Sequence, residues 1–160
     1  MKNVLVRDLS LAFALATVML ALPQAAQPLP PDKSADVYEA VVLYQIKSWD
    51  LTADSYCVKI NNRDADGALL RHLQSPRVKP ASACKKHRER GLPLMTVIDK
   101  KTKRASVIFD LEAVRWKSET EAEIDGGYVC ASLCMAGGVY HAVFDQSGWH
   151  VIHFDAQVMS

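Results

Sequence analysis

The sequence predicts an α+β domain in which one N-terminal helix packs on a curved antiparallel sheet of about six strands, the last of them forming a meander. Three observations carry that expectation. An apolar stripe at helical spacing follows Ala35, alternating runs follow Ser55, and the C-terminal quarter breaks into three β-patterned runs separated by glycine-bearing turns. At 160 residues the chain is long enough for one such domain and too short for two of ordinary size.

The first 26 residues read as an export signal. Lys2 and Arg7 precede an apolar run from Leu9 to Leu22, and small residues at Ala25 and Ala26 stand before Gln27. That run is short of the roughly 20 residues a spanning helix needs, so cleavage is expected, with the protein periplasmic or secreted and no membrane span left. Residues 27–33 (QPLPPDK) hold three prolines and read as a linker, which leaves 34–160 as the domain.

Asp36 and Glu39 are spaced as a capping box at the start of the helix. Val37, Ala40, Val41 and Tyr44 form its apolar face, widened by Val42, Ile46 and Trp49. Ser55 to Asn61 is the first strand, with Tyr56, Val58 and Ile60 inward. In the following loop Asn62, Asp64, Asp66 and Gly67 match the early positions of a helix-loop-helix calcium site, but Leu73 stands where the bidentate glutamate belongs. An Asn/Asp/Gly turn is therefore expected, leading to a short helical turn from Ala68 to Gln74. Pro76 and Pro80 make the path to Cys84 irregular.

Leu92 to Asp99 and Arg104 to Trp116 read as two strands joined by the charged turn DKKTK, with Ala105, Val107, Phe109, Leu111 and Ala113 inward and Asp110 and Glu112 outward. In the meander Ala122 and Ile124 are inward, then Val129, Ala131 and Leu133, so a bulge is expected at Gly126-Gly127. Gly137-Gly138 is the next expected turn, followed by a strand from Val139 to Phe144, a turn at Gln146 to Gly148 and a strand from Trp149 to Phe154. Trp49, Trp116 and Trp149 are expected in core or sheet packing.

The GGY run from Gly126 to Tyr128, the Gly148-Trp149 step before a hydrophobic pair, and the PASAC segment from Pro80 to Cys84 together resemble a group of small exported bacterial proteins of unassigned function. The resemblance supplies no catalytic residues. More loosely, the pattern is similar to nuclear-transport-factor-2-type (NTF2-like) and cystatin-like domains, in which a helix lies on a curved antiparallel sheet.

All four cysteines follow the signal, and an oxidising compartment makes two disulfides the simplest expectation. Three connectivities are open. Proximity in sequence favours Cys57 with Cys84 and Cys130 with Cys134. Residues four apart in a straight strand are about 13 Å apart, whereas a disulfide needs roughly 4.4 to 6.8 Å, so the second pair demands a turn or bulge within Ala131 to Leu133.

Without residues 1–26 the chain has 17 Lys and Arg against 17 Asp and Glu, but residues 63–109 carry 12 basic and 4 acidic side chains and residues 110–160 carry 2 and 8. Pairing between the two halves is the plain expectation. The functional one is an anionic partner for Lys85, Lys86, His87, Arg88 and Arg90. Export, and the lack of aromatics within that cluster, argue against nucleic acid.

His141 and His153, with Asp145, are the candidates for a proton-transfer pair. A metal site built from these histidines and the thiolates of Cys130 and Cys134 fails if the cysteines are oxidised, so no metal or other cofactor is expected. Nucleophile-elbow and phosphate-loop motifs are absent from the sequence. The expected function is a non-enzymatic binding or interaction module of the cell envelope, meeting an envelope protein or an anionic component. The alternative is a small NTF2-like enzyme with a His/carboxylate pair in the cup between helix and sheet.

Overall fold

The computed structural model of the protein describes residues 31–48, 52–88 and 95–159. The expected signal, residues 27–30 of the linker, Trp49, Arg90 and residues 92–94 of an expected strand lie outside the described residues.

Helix α1 (Pro31–Ser48) begins earlier than expected, because Pro31 occupies its first turn, where a missing N–H costs nothing. The linker therefore cannot extend to Lys33. Asp36 and Glu39 fall inside the helix rather than capping it. The apolar stripe behaves as expected: Val37, Ala40, Val41 and Val42 are buried, and α1 rests on the last two strands.

Among the described residues the sheet has ten strands rather than about six: β1 (Ser55–Ile60), β2 (Arg63–Asp64), β3 (Val78–Pro80), β4 (Cys84–Arg88), β5 (Met95–Asp99), β6 (Ser106–Leu111), β7 (Arg115–Trp116), β8 (Glu121–Ala131), β9 (Cys134–Asp145) and β10 (Gly148–Met159). Its main path runs β10-β9-β8-β6-β1-β2. Most pairs are antiparallel, but β1 runs parallel to both β6 and β3, which departs from a purely antiparallel sheet. Between β2 and β3 a short helix α2 (Gly67–His72) is capped by Asp66, whose carboxylate accepts from Leu69 N at 2.8 Å. Asp64 accepts from Ser82 N at 2.7 Å and Asn62 from Lys59 Nζ at 3.2 Å. The Asn/Asp loop is thus occupied with backbone capping and turn formation.

Strand alternation sorts the side chains onto two faces. Toward α1 point Tyr56 and Val58, Phe109 and Leu111, Ala122 and Ile124, and Tyr140 and Ala142. Tyr56 stacks on Phe109 at 5.6 Å and Tyr140 on Phe154 at 4.4 Å. The tryptophan expectation holds for Trp116 and Trp149, which meet edge to face at 5.5 Å beside this core. On the opposite face Cys57, Cys84 and Val97 form a smaller buried cluster with Ile108 and Val129 packed against it. Ala105 and Ala113 are exposed because β6 begins only at Ser106 and ends at Leu111, inside the expected strand at both ends.

The meander differs from expectation at its glycines. Gly126 and Gly127 carry no bulge: they pair in register with Gly138 and Gly137, so the expected turn at Gly137-Gly138 is the middle of β9. The hairpin turn is Ser132-Leu133, and the irregularity lies between Val129 and Ala131. Tyr128 and Cys130 consequently continue the inward phase of Ala122 and Ile124, while Val129 points to the other face. The glycines serve close approach of neighbouring strands. A Cβ on Gly127 would collide with the Ala136 carbonyl oxygen and lie 2.8 Å from Gly137 Cα. Gly127→Ala is expected to destabilise by roughly 1–3 kcal/mol through overpacking, measured as a drop in urea midpoint at unchanged slope.

Both expected disulfides are present, Cys57–Cys84 with Cα atoms 6.1 Å apart and Cys130–Cys134 with 5.4 Å. The second clips the Ser132-Leu133 turn, the constraint that its spacing imposed.

Candidate functional site

The polar cluster of the last strands begins with a bulge. Val151 pairs with Ala142 and His153 with His141, so Ile152 is an extra residue on β10. That one insertion reverses the phase of the strand. Val151 and Phe154 can then both reach the core, and His153 turns outward opposite His141. Their rings lie 5.7 Å apart. Ile152 itself is 61% exposed.

The carboxylate that joins these histidines is Asp155, not Asp145. Asp155 Oδ2 lies 2.9 Å from His141 Nε2 and its Oδ1 lies 2.6 Å from His153 Nε2. Those two contacts hold the Asp155 carboxyl below the usual range. Asp145 sits at the far hairpin, where it accepts from Ser147 N at 2.7 Å and Ser147 Oγ at 2.6 Å, contacts that lower its own pKa. The expected trio of His141, Asp145 and His153 is therefore not assembled. Sequence separation concealed the true partner, since Asp155 shares a face with His153 only through the i, i+2 alternation that resumes after the bulge.

Glu123 on β8 extends the cluster, with Oε1 3.6 Å from His141 Nδ1 and 3.4 Å from Lys117 Nζ, and Oε2 3.4 Å from Arg115 Nη2. Burial pushes Glu123 up, but Lys117 and Arg115 outweigh it and leave the carboxyl below its ordinary value. Arg115 also pairs with Asp125. His141 alternates with Tyr140 and Ala142, which face the core, so the whole group lies on the side of the sheet away from α1. It is open to water: side-chain exposure is 31% at His141, 57% at Asp155 and 62% at His153.

The basic cluster is a strand. On β4 Cys84 is buried while Lys85, Lys86, His87 and Arg88 are all exposed. Four successive exposed residues mean that neither face of this strand is covered. Nearby carboxylates pair with other bases, Asp110 with Lys59 at 2.7 Å, Asp99 with Lys79 at 2.6 Å and Asp54 with Arg104 at 3.2 Å. Among the described residues no carboxylate pairs with Lys85, Lys86 or Arg88. Beside β4 lies a groove of about 530 Å³. Ile108, Val129 and Met135 line it, Gly126 and Gly127 open its floor, and Lys59 and Lys86 share its margin with Asp110 and Glu112, Lys59 being paired with Asp110.

A third grouping has no counterpart in the sequence reading. His72, at the end of α2, places Nε2 2.9 Å from Asp36 Oδ1 and 3.1 Å from Glu39 Oε2, tying the two helices at a cleft of about 1000 Å³. The i, i+3 spacing of Asp36 and Glu39 on one helical face was the available signal.

No protein-family profile, curated protein or solved structure matches the chain. Among the described residues no helix is long and apolar enough to cross a membrane.

Proposed function

We propose that the chain is an exported binding module of the cell envelope that recognises an anionic component through the exposed cations of β4. The observation that carries this reading is the run of four exposed side chains, Lys85 to Arg88, three of them Lys or Arg with no carboxylate partner among the described residues. Three adjacent cations left in water along one strand make a local positive edge, which attracts anions and speeds their encounter. Two disulfides support an extracytoplasmic address, as such bonds persist in oxidising compartments.

The enzyme alternative needs a His/carboxylate pair in the cup between helix and sheet. The expected pair is not there, since His141 and Asp155 are on the opposite face and solvated; the pair at a cleft is His72 with Asp36 and Glu39, which ties α2 to α1.

The test is co-sedimentation of the oxidised protein with phosphatidylcholine vesicles, with and without phosphatidylglycerol. Binding is expected only to the anionic vesicles and to weaken with salt. At about 1 kcal/mol for each cation near such a surface, Lys85→Gln, Lys86→Gln and Arg88→Gln together should reduce it roughly 100-fold. Binding that ignores vesicle charge, or survives the triple change, rejects the reading.

A further inference from the structure

We propose that the Cys130–Cys134 bond is a thiol-exchangeable latch. Closed, it holds the β4–β5 pair against β8; reduced by a protein dithiol, it frees the Arg88 end of the cationic strand. The latch acts on the position of β4 whatever anion that strand meets. Cys57–Cys84 is the fixed counterpart, its residues buried at 0% and 4% exposure, whereas Cys130 and Cys134 are both partly exposed.

Three features of the geometry assign this role. The short turn that the bond closes carries the attachment of β5 to β8. Thr96 with Ala131 is the ladder pair between those strands among the described residues. Beside it Ser132 takes both polar groups of the Met95 backbone: Met95 N donates to Ser132 Oγ at 2.7 Å, and Ser132 N donates to the Met95 carbonyl at 2.8 Å. β5 in turn carries β4 through five antiparallel pairs, from Cys84 with Asp99 to Arg88 with Met95. The two ends of these paired strands are fastened differently. At the Cys84 end stand a buried disulfide and Asp99, 2.6 Å from Lys79 Nζ; at the Arg88 end stands the exposed turn. Finally, exposed disulfides are the labile ones, and Leu133 within this turn is 74% exposed, an apolar contact for an approaching partner.

Reduction here is a two-electron exchange. A thiolate of the dithiol attacks one of the two sulfur atoms, the other leaves as a thiolate and takes up a proton, and the partner's second thiol resolves the mixed disulfide. The protein gains two thiols and the partner becomes the disulfide. Residues 131–135 bear no charge, so the turn itself does not repel the attacking anion. With the crosslink gone, the turn keeps only its own hydrogen bonds, and Ser132 loses the fixed position from which it binds Met95. Local opening then costs less at the Arg88 end than at the Cys84 end.

The experiment treats the oxidised full chain with dithiothreitol in the absence of denaturant, traps free thiols with iodoacetamide and maps them by mass. Cys130 and Cys134 are expected to be alkylated while Cys57 and Cys84 remain joined. Amide hydrogen exchange then compares the oxidised parent with the Cys130→Ser, Cys134→Ser double variant, which stands for the reduced form. Exchange at Met95, Thr96 and Ser132 should rise roughly 10-fold more than at Tyr140 and Ala142, which report on the sheet as a whole. Ser132→Ala, with the disulfide intact, should also speed exchange at Met95, which separates loss of the latch from a folding fault in the double variant. Equal acceleration throughout the double variant, unchanged Met95 exchange in Ser132→Ala, or alkylation of Cys57 and Cys84 as fast as the other pair, overturns the proposal.

Discussion

Replacing Cys57 and Cys84 together by alanine is expected to lower stability by about 3 to 4 kcal/mol, and the thermal midpoint by roughly 10 to 20 °C. The bond joins residues 27 apart in sequence, and the entropy a crosslink removes from the unfolded chain grows with the loop it closes. The same change at Cys130 and Cys134, four apart, should cost about 2 kcal/mol. Burial widens the contrast. Cys57 and Cys84 are 0% and 4% exposed and stand with Val97 at the centre of the second core cluster, so alanine also leaves a void there. Urea melts of the two double variants beside the oxidised parent measure both losses. Reductant added without denaturant should open Cys130–Cys134 first, because that pair is partly exposed at a hairpin end. Equal losses, or faster reduction of Cys57–Cys84, would contradict this account.

Those bridges were legible because cysteines announce themselves and the spacing of Cys130 and Cys134 implied a turn. The helix stripe at Val37, Val41 and Val42 and the alternation at Val107, Phe109 and Leu111 were legible for a related reason: periodic burial leaves a periodic sequence. What escaped depends on partners distant in the chain. Nothing local to Ser55–Ile60 says that it runs parallel to Ser106–Leu111. Glycine has two uses in sheets, turning the chain and letting backbones approach, and Gly137-Gly138 was read as the first when its pairing with Gly126-Gly127 makes it the second. The bulge at Ile152 was hidden because an extra apolar residue in an apolar strand looks like more strand. With it went the correct carboxylate, Asp155.

Asp99 belongs to the same class of hidden residue, and its replacement by asparagine is the second large effect expected. It was read as the first residue of a charged turn, yet its side chain is 2% exposed. One oxygen accepts from Lys101 N at 2.7 Å and Thr102 N at 2.9 Å, closing the turn, as Asp commonly does two and three residues ahead. The other accepts from Lys79 Nζ at 2.6 Å and Ser55 Oγ at 3.1 Å. Ser55 Oγ in turn lies 2.9 Å from Ser106 Oγ. One carboxylate therefore fastens the end of β5 to β3 and to the starts of β1 and β6, including both strands of the parallel pair. Lys79 first, with the Thr102 and Lys101 amides and the Ser55 hydroxyl, holds its pKa far below the ordinary carboxylate value against the opposing effect of burial. Asparagine keeps the shape but loses the charge that Lys79 faces, and its NH₂ group cannot accept. The thermal midpoint at neutral pH should fall by on the order of 10 °C. The pH profile separates this cause from a packing fault. A carboxyl with a depressed folded-state pKa contributes stability that is present above its unfolded value, about 3.9, and is lost as pH falls toward the folded one. The gap between parent and Asp99→Asn should thus be constant from pH 7 to about 5 and narrow below about 4. A gap that stays constant into acid would assign the loss to packing and remove the ionised carboxylate from its place at this junction.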